Sequence, residues 1–220
     1  MTPSPRDVVC SPPGPCLGHF WSFYHAYRDW EVEDGYTHVP YEKAFYNGRN
    51  YDLFAILADV RNGRGFAGCK TGDGFNIIDE PRGLPNDVSS EVKSQAESWD
   101  GDGHSHSWFT LAELESFDWD QTTKHEGWVN YREFVQYIKL GHPTSWCGGV
   151  SGGDIKHVSI NEMMEYVKND TPSEYEHCYT LVSWVEKYRD SVESFLTETI
   201  PKMKALGDAR NVRAVFWFDN

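Results

Sequence analysis

Apolar residues recur at the three- and four-residue spacing of an amphipathic helix in several segments of the chain. In residues 51–62, Leu53, Ile56 and Val60 fall on one face, and Gly63 follows where helices commonly end. Further helices are predicted over residues 87–99, 110–117, 130–140, 159–167 and 186–206. We expect Pro201 to kink or interrupt the last of them, because proline lacks the N–H that a helix interior needs.

Helix caps can be predicted from short motifs. Thr110 with Glu113, and Ser159 with Glu162, match the capping box, in which a hydroxyl and a carboxylate satisfy free amides at the helix start. Asn130 precedes the fourth predicted helix, and Gly141 follows it. These motifs predict that helices begin after Thr110, Asn130 and Ser159.

Strands are predicted at both ends of the chain. Residues 19–39 are rich in β-favouring aromatics, and Glu33-Asp34-Gly35 offers turn chemistry between two apolar stretches, which predicts an antiparallel hairpin. Residues 179–185 and 212–218 also have strand composition. The predicted fold class is therefore α+β, with a small, mostly antiparallel sheet made from the N-terminal hairpin and C-terminal strands. About five helices pack on it, and the loops are long and glycine-rich.

Proline dominates the first residues, so residues 1–18 are interpreted as an irregular leader and residues 19–220 as a single domain. No apolar run approaches the roughly 18 to 20 residues of a membrane span, and the leader has no signal-peptide apolar region. A cytoplasmic protein without membrane contact is expected. The five cysteines are odd in number and contain no Cys-x-x-Cys pair, so reduced thiols are expected.

The chain is acidic, since 20 Lys and Arg residues stand against 34 Asp and Glu residues, giving a net charge of −14. A protein that binds duplex nucleic acid needs a basic face that releases counterions. Duplex DNA or RNA is therefore not an expected partner, whereas a local basic pocket for a small anion stays open.

A glycine-rich stretch, residues 63–68, matches G-x-G-x-x-G but follows a predicted helix and precedes none, so a dinucleotide-binding fold is rejected. Arg61, Arg64, Lys70 and Arg82 make its surroundings the most positive part of the chain. We interpret it as an anion-binding loop, with Arg61, Arg64 and Arg82 as phosphate contacts. The alternative is a flexible surface loop with solvated arginines.

The densest cluster of reactive side chains is Asp102, His104 and His106. In an extended segment these three share one face, where they could hold a metal, with Asp118 or Asp120 completing the ligand set. Direct polar contacts to a bound ligand and plain structural hydrogen bonding are the alternatives.

The chain has nine tryptophans, most of which are expected to fill the core, while Trp108 is assigned to stack on a flat ligand. Cys147 lies in a second glycine-rich stretch, residues 146–154. It could act as a nucleophile only with a lowered pKa, so a buried structural thiol is favoured.

Four segments, residues 48–62, 81–85, 102–108 and 215–220, resemble a family of phage and prophage proteins that usually begin Met-Gly-Cys-Asp-Ile-His. The resemblance covers about residues 49–220. Cys16-Leu17-Gly18-His19 is the nearest counterpart of Cys-Asp-Ile-His, with Leu17 in the acidic position. The resemblance implies a phage accessory protein in a bacterial host cell. Such proteins often counter host defence by sequestering or cleaving nucleotide signals, and no site residue is transferred from the family.

Three hypotheses follow. The first is a non-enzymatic protein that binds a small anionic, nucleotide-like ligand through Arg61, Arg64, Arg82, Asp102, His104, His106 and Trp108, without a cofactor. The second is a metal-dependent phosphoesterase in which Asp102, His104, His106, Asp118 and Asp120 hold a divalent metal. The third is an acidic inhibitor that occupies a basic protein surface. The ligand's identity is open, and so is a homo-oligomer.

Overall fold

The computed structural model describes residues 45–46, 48–169 and 175–219, together with the backbone of four strands near the N-terminus. These strands are β1 (Arg6–Ser11), β2 (Ser22–His25), β3 (Glu31–Glu33) and β4 (Tyr36–His38). The described part contains seven α-helices and nine strands, which confirms the α+β class. None of its helices has the length and apolar character needed to cross a membrane.

Two compact units divide the chain. The first contains Met1–Val60, Ile77–Trp119 and Ser191–Asn220, and the second contains Arg61–Asn76 and Asp120–Asp190. Each unit is therefore assembled from separated segments. The interpretation of residues 19–220 as one domain stays a prediction.

The first unit is built on a four-stranded sheet with strand order β2-β1-β9-β5. Its central strand is β9 (Val212–Phe218), which is buried at every position, parallel to β1 and antiparallel to β5 (His104–Thr110). Apart from Arg213 its residues are apolar, as is typical of a strand covered on both faces. The predicted strand over residues 212–218 is thus confirmed, and it forms the centre of the unit.

Helices of the first unit cover the two faces of β9. They are α1 (Tyr51–Ala58), α2 (Ser90–Ser98), α3 (Leu111–Ser116) and α7 (Ile200–Lys204). Trp217 packs with Val92 of α2, whereas the ring of Phe218 lies 5.3 Å from that of Phe54 in α1. Successive strand residues point to opposite faces, so α1 and α2 lie on opposite sides of the sheet.

The N-terminal region differs from the prediction. Residues 6–11, assigned to an irregular leader, form β1, which pairs with both β9 and β2. This segment contains no proline, and its Val8-Val9-Cys10 run favours a strand. Residues 1–5 and 12–21, which include Leu17 and the predicted start of the hairpin, lie outside the described residues. The hairpin around Glu33-Asp34-Gly35 is present in shorter form as β3 paired antiparallel with β4.

Three predicted helices change their limits. The helix over 51–62 ends at Ala58, because Asp59 adopts a left-handed φ of 59°; Asp59 donates its backbone N–H to the Ala55 carbonyl, and Val60 donates to the Phe54 carbonyl. The helix over 87–99 begins after Ser89, which caps it. Instead of one helix over 186–206, the chain forms α6 (Tyr188–Ser191), a π-helical turn at Phe195–Thr199, and α7. Pro201 lies in the first turn of α7, where proline is tolerated.

The second unit has a three-stranded sheet with order β6-β8-β7, formed by β6 (Thr122–Asn130), β8 (Cys178–Lys187) and β7 (Lys156–His157). The amphipathic helices α4 (Tyr131–Leu140) and α5 (Ile160–Asn169) cover it, and Phe134 and Met163 pack against Val182 and Trp184 of β8. Asn130 caps α4, whose C-terminal glycine is Gly141. The sequence did not predict β6, since Thr123, His125 and Gly127 occupy its buried positions.

Candidate functional site

The first glycine-rich stretch lies against the edge of β6. Within this segment, Arg61–Asn76, Asp73 donates its backbone N–H to the Lys124 carbonyl at 2.9 Å, and Glu126 donates to the Thr71 carbonyl at 2.8 Å. Gly72 lies between these bonds at φ +147°, where a Cβ would be 2.2 Å from the Lys124 carbonyl oxygen. Only glycine fits this close approach, so the segment is held in place by its backbone.

Residues 64–70 form the tip of this segment, which we call the loop tip. Arg64 and Lys70 face each other in an antiparallel bridge, and Gly65 donates its N–H to the Cys69 carbonyl at 2.7 Å. The turn between them carries Phe66, whose exposed fraction is 84%. An aromatic side chain in a hydrogen-bonded turn is thus presented to solvent.

The charges at the loop tip are of one sign. Side chains of directly opposed residues lie on the same side of a bridge, with Cβ atoms about 5 Å apart, and like charges in such a pair are destabilising. Arg64 and Lys70 are both exposed, and neither forms an ion pair within the described residues. An anion placed between them would remove this repulsion. Arg61 is also exposed and lies at the start of the segment with a left-handed φ of 54°.

The second glycine-rich stretch lies beside the first. A Cβ on Gly148 would be 3.1 Å from Thr71 Cγ2, and one on Gly149 would be 3.0 Å from Cys69 Sγ. The absence of side chains thus permits the two loops to touch. Cys147 donates its thiol to the Trp128 carbonyl at 3.6 Å, and burial raises the pKa of that thiol. This environment favours a structural thiol, not a nucleophile.

Arg82 belongs to the first unit, and its charge is already matched there. Its guanidinium lies 2.8 Å from the Asp79 carboxylate and 2.7 Å from the Glu113 carboxylate. It also lies over the rings of Trp108 and Phe109, at 5.3 and 4.7 Å. These contacts anchor residues 79–83 to β5 and α3, which gives Arg82 a structural role.

Trp108 is half-buried against the cluster formed by Val92, Val215 and Trp217. A second guanidinium, that of the buried Arg213, lies 5.5 Å from its ring centroid. Trp108 therefore already has aromatic and cationic neighbours within its own unit.

His104 and His106 lie on opposite faces of the sheet, not on one face as strict alternation predicts. The ring of His104 stacks on Phe218 at 6.0 Å, and that of His106 stacks on Trp217 at 5.8 Å. The reason is Ser105, which adopts φ +50° in a register shift between His104 and Ser107. Burial, with a smaller contribution from His104, lowers the pKa of His106.

The remaining carboxylates predicted as metal ligands lie at the surface. Asp102 is exposed in a short turn before β5, and Asp118 is exposed after α3. Asp120 belongs to the second unit, where it pairs with Lys187 at 3.3 Å and Arg189 at 3.0 Å. Across the described ranges, no three His, Cys, Asp or Glu side chains come together to hold a metal ion. The metal site stays a prediction.

The second unit also contains two adjoining cavities that share His177. One, of about 380 Å³, is lined by Asn130, Tyr131, Arg132, Glu176 and His177. The other, of about 250 Å³, is lined by Asp154, Lys156, His177 and Cys178. Arg132 is paired with Glu176, so the larger cavity carries little excess charge. No sequence motif pointed to these cavities.

Phe66 was missed as a candidate site residue because a lone aromatic in a loop is indistinguishable in sequence from one that packs inward. Its flanking cations were the only signal available. Comparisons of the chain with protein-family models, curated proteins and solved structures find no match. The resemblance to phage proteins therefore stays a prediction.

Proposed function

We propose that this protein binds a small anionic, nucleotide-like ligand at the loop tip. The observation that carries the proposal is the opposed pair Arg64 and Lys70, two exposed cations with a solvent-exposed phenyl ring between them in sequence. Two cations and one flat apolar face are the chemistry that a phosphate attached to a planar base requires.

The phosphate is assigned to the two cations. Arg64 and Lys70 can each donate charge-assisted hydrogen bonds to the phosphate. The negative charge of the phosphate also relieves the repulsion between the two cations, which favours the bound loop over the free loop. Because both cations are exposed, binding is expected to weaken as salt rises.

The base is assigned to Phe66. Base stacking on an aromatic side chain contributes about 1 to 3 kcal/mol. The ring already makes few contacts with its own chain, so little is lost when it meets a ligand. The glycine-rich stretch over residues 146–154 lies beside the tip through Gly148 and Gly149, which approach Thr71 and Cys69.

The resemblance to phage proteins suggests the biological role that we propose for this binding, which is the capture of a host defence signal without its cleavage. Arg82 and Trp108, by contrast, already contact charged partners within the first unit, Glu113 and Arg213 respectively. They are no longer the preferred phosphate and stacking contacts. The proposal therefore keeps the ligand class and moves its contacts to Arg64, Phe66 and Lys70.

The test is incubation of purified protein with mono-, di- and cyclic nucleotides, followed by chromatography before and after heat denaturation. The expected result is a nucleotide that disappears from solution and returns intact. A new species would instead favour the phosphoesterase, and its loss on chelation would implicate a metal. Binding should fall at least about tenfold in Arg64→Ala and Phe66→Ala.

Arg210→Ala is a matched control, because Arg210 is also an exposed arginine and is paired with Asp208 in the first unit. It should bind like the wild type. If no nucleotide in the panel binds, or if Arg64→Ala and Arg210→Ala behave alike, the loop tip is not the site.

A further inference from the structure

Ser105 has an unusual backbone within strand β5. It adopts φ +50°, a left-handed conformation that is strained for a residue with a side chain, and it lies where the pairing of β5 with β9 shifts register. Bulges are common beside active sites, because they redirect a side chain away from the regular alternation. Strain at this position needs an explanation.

The redirected hydroxyl meets an imidazole. Ser105 Oγ lies 3.0 Å from His104 Nδ1, which is within the reach of a nucleophile and its general base. His104 is oriented by its stacking on the buried ring of Phe218, which in turn contacts Phe54 of α1. Core packing therefore fixes the His104 imidazole, and the bulge fixes the position of Ser105.

We propose that Ser105 and His104 form a nucleophile and general-base pair that hydrolyses small, uncharged carboxylic esters. Both side chains are half-buried, and β5 is an outer strand of the described sheet, so the pair is reached from solvent. Gly101 nearby leaves open space, since a Cβ there would meet nothing within 4 Å. Uncharged esters are favoured because Asp102 is exposed nearby and the chain carries a net charge of −14.

In the first step, Ser105 Oγ forms a bond to the ester carbonyl carbon and passes its proton to His104 Nδ1. The bond from that carbon to the leaving oxygen then breaks, and the leaving alcohol takes the proton from His104. In the second step, water attacks the acyl group on Ser105 and gives a proton to His104. The Oγ bond breaks, Ser105 regains the proton, and the carboxylic acid leaves. The net reaction is ester plus water to acid plus alcohol.

This activity is independent of nucleotide binding, and it is tested with a fluorophosphonate probe and with p-nitrophenyl acetate. The probe loses fluoride when a serine oxygen bonds to its phosphorus, and mass spectrometry identifies the modified serine. We expect modification at Ser105 and ester hydrolysis above background. In Ser105→Gly both should vanish, while the thermal midpoint rises, because glycine adopts φ +50° without strain.

His104→Phe keeps a ring against Phe218 and removes Nδ1, so labelling should slow about 100-fold or more. His106→Phe is the matched control, since His106 stacks on Trp217 on the opposite face, and it should label normally. His104→Gln serves if the phenylalanine variant fails to fold. Absence of labelling in the wild type, labelling at another serine, or equal rates in the His104 and His106 variants would overturn the proposal.

Discussion

Lys70→Glu should stabilise the protein and weaken anion binding at the same time. In the wild type, Lys70 faces Arg64 across a backbone bridge, so the substitution converts a repulsive pair into an attractive one. It also removes one of the two cations assigned to the phosphate. Opposite effects on stability and binding are diagnostic, because a substitution that merely damages the loop would lower both.

The expected change in the free energy of unfolding follows from the distance between the two charges. Two long side chains that start from opposed positions place their charges about 10 Å apart when they avoid each other, which corresponds to about 0.4 kcal/mol in water. Reversal of one sign therefore changes the free energy of unfolding by about 0.8 kcal/mol at low salt. At physiological salt, with a screening length of about 8 Å, the gain falls to about 0.2 kcal/mol.

The assay is thermal unfolding of wild type and variant in low and high salt. For a chain of this length, about 0.8 kcal/mol corresponds to a rise of about 2 °C in the thermal midpoint. Lys70→Gln, which removes the repulsion without adding attraction, should give about half the rise. Nucleotide binding, measured in parallel, should fall at least about tenfold in Lys70→Glu.

A lower midpoint for Lys70→Glu at low salt would refute the reasoning, since it would show that the two side chains do not face each other. An unchanged nucleotide affinity would show that Lys70 does not contact the phosphate of the bound nucleotide. Arg64→Glu should repeat both effects, because the pair is symmetric in charge.

Gly72→Ala should cost about 2 to 4 kcal/mol by urea unfolding, because a Cβ would meet the Lys124 carbonyl oxygen at 2.2 Å; an unchanged midpoint would contradict the contact. Arg82→Ala should cost about 1 kcal/mol and leave nucleotide binding unchanged, whereas a loss of binding alone would make it a phosphate contact. Burial lowers the pKa of His125, so the unfolded chain takes up more protons than the folded one, and stability should fall as the pH drops through about 6.5. His125→Phe should flatten that slope below about pH 6.5, and His106, whose pKa burial also lowers, should contribute to the slope that remains; an unaltered slope would count against this assignment.

Features that depend on nearby residues could be predicted from the sequence. The capping box of Thr110 and Glu113 forms through reciprocal hydrogen bonds between residues three apart, and Asn130 caps α4 by accepting the Glu133 backbone N–H. The run Val212–Phe218, apolar except for Arg213, is enough to predict a strand. In each case the deciding interaction or pattern is contained in a few consecutive residues.

Strand β6 could not be predicted, because its inward residues acquire their partners from elsewhere in the chain. His125 is buried by stacking on Trp184 of β8 at 5.3 Å, and Gly127 is covered by Trp146. His is only intermediate in its tendency to be buried, and Gly is rare in strands, so neither predicts an inward strand position. Buried and exposed positions alternate along β6 in the structure, but the sequence does not show this alternation because several of the buried residues are not apolar.

The candidate site shows the same division. The cations around the first glycine-rich stretch were identified from sequence, yet their significance depends on the bridge that sets Arg64 opposite Lys70. Arg82 was grouped with these cations because it is near them in sequence. In the structure, its guanidinium instead pairs with the Glu113 carboxylate in the first unit.

A single backbone angle changes what the His104 and His106 segment can do. Strict alternation would put two imidazoles together and favour a metal, whereas the left-handed Ser105 separates them and turns its own hydroxyl toward His104. The same residues thus favour nucleophilic chemistry in place of metal chemistry. Because Ser105→Gly would keep the angle and remove the hydroxyl together with Cβ, that one variant distinguishes a bulge that exists for packing from a bulge that exists for Ser105 Oγ.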